Sequence, residues 1–334
     1  MKKSLIFILA LFIIGGFVFA FLGCGAGKGK EASGTLVLYT AANEKIEDDL
    51  IAGFSEKYPD IKIERINLGS GAITSRIIAE KSNPQADVVW GLFDSYQKTL
   101  RDAGAIKPYK PKGIENINKE FVDPDNFYTG HFVTFMTIGV NTDIIAEKKL
   151  PMPNTWEDLA NPVYKGLINI ASPAQSGTGM TIITNLFDMY DGWSLVDEID
   201  KNVFQYNTSG GVAGRQAARG EIAIGLTYDT AVLSLQEEGF PVKAVFPPKT
   251  IYTVEAGSLI NNAKNENNAK LYLDYMCSED AFKKIEQYVA AVTLKDFQMS
   301  DSWKPKIEDV DLYKPKKVYD LEKFANDWSE RYQR

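Results

Sequence analysis

TLVLYTAANEKIEDDLIAGFSEKYPDIKIERIN, residues 35–67, is the stretch on which the fold turns. Its first six residues form a short apolar run rich in β-formers, the pattern of a buried strand. Residues 44–57 place Ile46, Leu50 and Phe54 on one face of an amphipathic helix, and residues 61–67 read as a second strand. Strand, helix, strand at this spacing is a βαβ unit, the building block of parallel sheets. The alternation continues with a helix over 73–81, a short buried strand over 87–90 (DVVW) and a helix over 96–103 stopped by Gly104. A long apolar run, 132–141 (FVTFMTIGVN), then gives way to Pro151, Pro153 and Pro162 around Trp156, and a crossing to a second lobe is expected there. Beyond it, strands at 167–170 and 222–226 and helices at 179–190 and 211–218 describe a second α/β lobe. A return strand (254–260), helices at 268–277 and 280–289 and a final helix at 321–332 complete the chain. The expected division is 35–136 plus 256–334 for the N-terminal lobe and 137–255 for the C-terminal lobe.

The 334 residues suffice for two such lobes, and 45% apolar composition with 12% aromatics supplies their cores. With 44 Asp and Glu against 37 Lys and Arg, a net charge of −7, the chain lacks the basic footprint of a nucleic-acid binder. A single histidine, His131, argues against histidine-based catalysis and multi-histidine metal sites. Cys24 and Cys277 stand in unrelated contexts and are not expected to pair. Cys277, with no CxxC partner, reads as a buried structural thiol.

The N-terminus reads as an export signal. Lys2 and Lys3 precede an uncharged apolar run from Leu5 to Leu22 that ends in Gly23 and Cys24. As a helix the run would span about 27 Å against about 30 Å of hydrocarbon, so an uncleaved membrane helix is the alternative. Phe21-Leu22-Gly23-Cys24 resembles a lipoprotein lipobox, with Phe21 where Leu is usual. Residues 1–23 are therefore expected to be a signal peptide, Cys24 the lipidated residue, and 24–34 a flexible tether. This places the protein on the cell envelope, lipid-anchored, at the periplasmic or extracytoplasmic face.

Further motifs follow in order: Leu38-Tyr39-Thr40, Gly69-Ser70-Gly71, NPQADV (83–88), IGVN (138–141), NPVYKG (161–166), Ser176-Gly177-Thr178-Gly179, GEIAIG (220–225), Tyr228-Asp229 and Glu255-Ala256-Gly257. Over essentially the whole mature chain this series resembles the ferric-iron-type solute-binding proteins of bacterial ABC importers. That family has members for ferric iron and relatives for phosphonates and sugar phosphates. The resemblance implies a two-lobed periplasmic binding protein fold of type 2, with two hinge-crossing strands, expected near residues 135–140 and 253–257. It also implies partners in an ABC permease and ATPase, binding without catalysis, and no cofactor beyond Fe³⁺ as possible cargo. A monomer is expected.

The cleft chemistry is read from the same residues. Gly69-Ser70-Gly71 and Ser176-Gly177-Thr178-Gly179 each lie between a strand and a helix, where glycine admits backbone N–H groups to a ligand and the helix start offers unpaired donors to an anion. A tight turn with Ser70 capping its helix is the plainer alternative. Ser70, Gly71, Ser176, Gly177 and Thr178 are therefore candidate ligand residues. Thr40, Ser209 and Gly210 are added by the resemblance and by their places after strands or at a glycine turn. Tyr228 and Asp229 follow a strand at the sheet's carboxyl edge, where open α/β folds bind ligands. If the cargo were iron, Tyr228, Asp229 and Glu255 would be its donors, with Tyr39, Tyr252, Asp94 and His131 as further oxygen or nitrogen groups. An adjacent tyrosine pair is absent. Arg76 and Arg215 could each clamp an anion or lie on a solvated helix face. The reading is an oxyanion-bearing solute, phosphorylated or phosphonate-like, with ferric iron as the alternative. A ligand-sensing receptor shares every one of these features. A lipid-anchored hydrolase would need Ser70 or Ser176 as nucleophile with His131 as base, and neither serine stands in G-x-S-x-G.

Overall fold

The computed structural model describes residues 32–300, 304–305 and 307–333. The expected signal peptide (1–23), Cys24 and residues 24–31 of the expected tether lie outside the described residues. The chain runs β1 (Gly34–Thr40), α1 (Glu44–Lys57), β2 (Ile61–Asn67), α2 (Ser70–Ala79), β3 (Val88–Phe93), α3 (Asp94–Asp102) and β4 (Ile106–Lys107). It continues through β5 (Thr129–Asn141), α4 (Thr142–Glu147), β6 (Ile168–Ala171), α5 (Gly177–Met189), α6 (Ser194–Asp200), β7 (Val203–Asn207), α7 (Gly210–Ala218), β8 (Ile224–Tyr228), α8 (Thr230–Glu237) and β9 (Val242–Val245). It returns through β10 (Tyr252–Ile260), α9 (Glu266–Met276), α10 (Glu279–Ile285) and β11 (Ala291–Val292), and ends in α11 (Leu321–Tyr332).

The strands follow the order β2-β1-β3-β10-β5-β8-β6-β7. Within each half three strands run parallel: β1 with β2 and β3, and β6 with β7 and β8. One strand joins the halves. From Thr129 to Phe135, β5 pairs with β10, and from Met136 to Val140 it pairs with β8. Every residue of β5 is buried, which is why its sequence is a continuous apolar run with no alternation.

The cores divide accordingly. Leu36, Leu38, Leu50, Phe54 and Trp90 pack beneath the first sheet, and Ile138, Ile168, Ile170, Ile182 and Leu226 beneath the second. Two boundaries differ from the sequence expectation. Ile251 belongs to the second core, whereas Tyr252 onward pairs in the first sheet. The second crossing therefore sits at Ile251–Tyr252, just upstream of 253–257. The C-terminal helix packs Phe324 and Trp328 into the second core, and Arg331 pairs with Asp197 on α6 at 2.6 Å. Residues 321–332 thus join the second lobe, where the sequence division had grouped them with the first; an amphipathic helix shows which face it buries but not against what. Among the described residues no helix is long and apolar enough to cross a membrane.

Candidate functional site

Three helices begin where the parallel strands end. α2 starts at Ser70 after β2, α5 at Gly177 after β6, and α7 at Gly210 after β7. Both glycine motifs are first helical turns, so α2 and α5 begin earlier than the apolar spacing alone predicts. In α2 the cap is Gly69, and Ser70 is the first helical residue, not the cap. The caps of α5 and α7 are Ser176 and Ser209, and neither serine bonds its own helix through its side chain. All three helix starts therefore keep backbone donors free for something outside the helix.

The starts lie together. A Cβ on Gly177 would stand 3.1 Å from the Phe93 ring and 3.5 Å from Ser70 Oγ, both on the first lobe. The carboxyl edges of the two sheets thus face each other across a closed cleft. On the second lobe, a Cβ on Gly210 would overlap the Thr178 side chain, 2.1 Å from its Oγ1, so only glycine lets α5 and α7 start side by side. Thr227 Oγ1, fully buried, donates to Gly210 O at 2.8 Å and pins the first turn of α7 to β8.

Charge enters through α7. Arg215 reaches back along its helix, with Nη1 2.9 Å and Tyr228 Oη 2.8 Å from the point a Cβ on Gly211 would occupy. Arg215 is exposed and, among the described residues, pairs with no carboxylate. The Tyr228 phenol, half-buried at the end of β8, is pushed up by burial and by Glu255 and Asp229, against the pull of Arg215. Glu255 sits at a register shift in β10, where a bulge re-aims a side chain, and accepts from Thr134 Oγ1 at 3.1 Å. Burial pushes its carboxyl up to about 8, with Thr134 opposing and Asp229 and Glu47 adding to the rise.

Other residues singled out by sequence are committed elsewhere. Thr40 is fully buried, and its hydroxyl donates to Glu47, which also accepts from Asn67 Nδ2 and pairs with Arg65 at 3.2 Å. It braces the loop after β1. Arg76 stacks on the Tyr39 ring, 4.8 Å from its centroid, and donates to Glu80 at 2.8 Å, so it is not a free clamp. The Tyr39 hydroxyl donates to the same carboxylate. Asp229 is buried, with one oxygen accepting from Phe135 N and the other from Thr230 N. Asp94 accepts from Lys98 and Thr253. His131 is fully buried in the first lobe, where Nδ1 accepts from the Trp90 indole at 3.2 Å. Burial lowers its pKa to about 3, which keeps it neutral. Cys277 is a buried free thiol, pushed up to about 12 by burial first and then Asp274 and Glu115. Among the described residues no three His, Cys, Asp or Glu side chains are grouped to hold a metal ion.

Phe93 carries no polar chemistry, and sequence reading passed over it. Its one signal is its place as the last residue of β3, at the same edge as the other loops. A cavity of about 510 Å³ lies further along the interlobe gap, between α3 and the far face of α5, lined by Asp94, Lys98, Tyr128, Thr181, Thr184 and Tyr252 among others. Asp94 and Tyr252, named from the sequence as further groups for iron, line it, whereas Thr40, Tyr228, Asp229, Glu255 and the residues at the three helix starts do not.

Two lobes on shared strands, meeting at the helix starts of both sheets, define a solute-binding protein of the kind that closes on its ligand. Residues 83–311 match the family described as bacterial extracellular solute-binding protein, and the chain belongs to that family. It is 33% identical over 268 residues to an uncharacterized protein of Haemophilus influenzae, a match covering 77% of each chain. The structure is similar to the periplasmic binding protein AfuA of Actinobacillus pleuropneumoniae with exogenous fructose-6-phosphate bound, with TM-score 0.80 and 28% identity over 90% of this chain and 99% of that one. Iron-bound HitA of Pseudomonas aeruginosa shares the fold, with TM-score 0.78 and 20% identity over 89% of this chain and 98% of that one.

Proposed function

We propose that the protein captures a small oxyanion-bearing solute, phosphorylated or phosphonate-like, between its lobes and delivers it to the permease and ATPase of an ABC importer. The observation that carries this is the meeting of three helix starts, from both lobes, two of them capped by serines whose side chains leave their own helices unbonded and the third by Gly69, with Arg215, which no described carboxylate pairs, beside them. Three to five charge-assisted hydrogen bonds at about 1.5–3 kcal/mol each would carry such a ligand to micromolar affinity, about −8 kcal/mol, after the cost of closure. Ser70, Gly71, Ser176, Gly177, Thr178, Ser209 and Gly210 form the anion pole, with Arg215 as its cation. Tyr228 and Glu255 face the remainder of the solute. Thr40 and Asp229, bonded within the protein, support the site from behind.

The binding work is done by closure, with no bond made or broken, which needs no cofactor and no partner for turnover beyond the importer. The mature protein is read as a monomer tethered to the membrane by a lipid on Cys24 after removal of residues 1–23. Ferric iron fits less well. Its hard oxygen donors would have to come from Tyr228, whose phenol is raised and not lowered, from Asp229, whose oxygens are taken by backbone N–H groups, and from Glu255.

Isothermal titration with fructose 6-phosphate, a simple alkylphosphonate and ferric citrate separates the readings. Ser70→Ala with Ser176→Ala should weaken the phosphorylated or phosphonate ligand at least about tenfold, and Arg215→Gln by about tenfold. Equal affinity in wild type and double variant, or heat and a phenolate-to-iron absorption band with ferric citrate alone, would falsify the oxyanion reading.

A further inference from the structure

A strand that changes sheets gives up one ladder partner before it gains the next, and its peptide groups at that point need other partners. β5 does this between Phe135 and Met136. Met136 N donates to Ile251 O at 2.7 Å, across the second crossing. Phe135 is held differently: its carbonyl accepts from Asp229 N at 2.8 Å, and its N–H donates to Asp229 Oδ2 at 3.1 Å. The other carboxylate oxygen accepts from Thr230 N at 2.6 Å, at the start of α8. One residue of the second lobe therefore holds both backbone polar groups of the hinge residue Phe135 and the start of the helix behind it. Its side chain is buried, with 1% exposure.

We propose that Asp229 is a positioning residue for solute capture: its carboxylate clasps the hinge peptide at Phe135 and so fixes the angle at which the lobes meet. The proposal rests on the closure reading for its purpose, but its test needs no solute. The titratable groups facing Asp229 are Glu255 on β10 and the neighbouring Tyr228 phenol, with Arg215 beyond that phenol. None of them is a cation in contact with the carboxylate. Two backbone N–H groups alone support its charge, and burial outweighs them, pushing the carboxyl up to about 7. The clasp is thus strongest in the ionised form and loosens as pH falls through about 7, because a protonated carboxyl is the weaker acceptor.

Amide hydrogen exchange on the full chain tests this. In wild type, protection of the Phe135 amide, corrected for the intrinsic pH dependence of exchange, should fall at least about fivefold from about pH 8 to about pH 6. Protection at Val89 and Leu226, deep in the two sheets, should hold. In Asp229→Asn, Phe135 protection at about pH 8 should be at least about tenfold lower and no longer vary with pH. Small-angle scattering of the same proteins without ligand should show a larger radius of gyration in the variant. Constant wild-type protection at Phe135 across the pH range overturns the proposal, and this measurement stands even if the variant does not fold. Equal losses at Phe135, Val89 and Leu226 in the variant, or superimposable scattering profiles, also overturn it, since they mark a general weakening and not a clasp.

Discussion

Gly177→Ala isolates closure from folding. The added methyl would meet the Phe93 ring at 3.1 and 3.3 Å and Ser70 Oγ at 3.5 Å, all across the cleft. Those contacts exist only when the lobes are together, so the strain falls on the closed state alone. Overpacking of this kind costs about 1–3 kcal/mol, which becomes about 5- to 150-fold in affinity if binding requires closure. The local backbone favours the change: Gly177 is the first residue of α5 and its φ is not positive, so alanine should leave the helix as stable or up to about 1 kcal/mol more so. The expected result is weaker binding of fructose 6-phosphate by calorimetry with an unchanged or raised melting temperature in the absence of ligand. Trimming the opposing ring, Phe93→Ala, should restore most of the lost affinity in the Gly177→Ala background relative to Phe93→Ala alone, as coupled neighbours do. Wild-type affinity in Gly177→Ala, or parallel losses of affinity and stability, would refute closure at this contact.

Glu255→Gln should change how stability varies with pH. A carboxyl raised from the ordinary 4.5 to about 8 keeps a proton that the unfolded chain has released, so its contribution is fullest below about 4.5 and is lost as pH rises through about 8. The wild-type melting temperature should therefore drop more between about pH 5 and about pH 8.5 than that of the variant, and identical slopes in a thermal-shift series would remove Glu255 from the account. Thr40→Val should destabilise by about 1–3 kcal/mol by stripping a donor from buried Glu47, while shifting ligand affinity less than about threefold; a large affinity loss with intact stability would return Thr40 to the ligand shell. Asp188→Asn should lower the melting temperature by several degrees, because the carboxylate collects the Tyr313 and Tyr319 hydroxyls at 2.8 Å each and Lys316 N at 2.6 Å. Burial opposes its ionisation, but those donors hold it below the ordinary 3.8, so its contribution is present above that value and disappears as pH falls through the lowered one. A wild type no more stable than the variant at neutral pH would contradict this.

Much of the fold was legible because it is local. Buried strands announce themselves as apolar runs, helices as a spacing, and βα turns as glycine motifs, and residues 35–71 contain all three. What was illegible depends on which distant surfaces meet. The C-terminal helix shows an apolar face through Phe324 and Trp328, but nothing in its spacing names the second core as its partner. Arg76 and Arg215 look alike in sequence, each on the first helix after a glycine turn. The difference is that Glu80, one turn on, and the Tyr39 ring claim the first, while no described carboxylate reaches the second. Asp229 and Glu255 pose the same problem for carboxylates. Both follow or sit on strands near the cleft, and a sequence offers no ground for giving one to the solute and the other to the hinge. Count of partners decides it: both oxygens of Asp229 are occupied by backbone N–H groups that no solute could displace without unpairing them, whereas Glu255 has a single bond from Thr134 and can still accept from whatever enters the cleft.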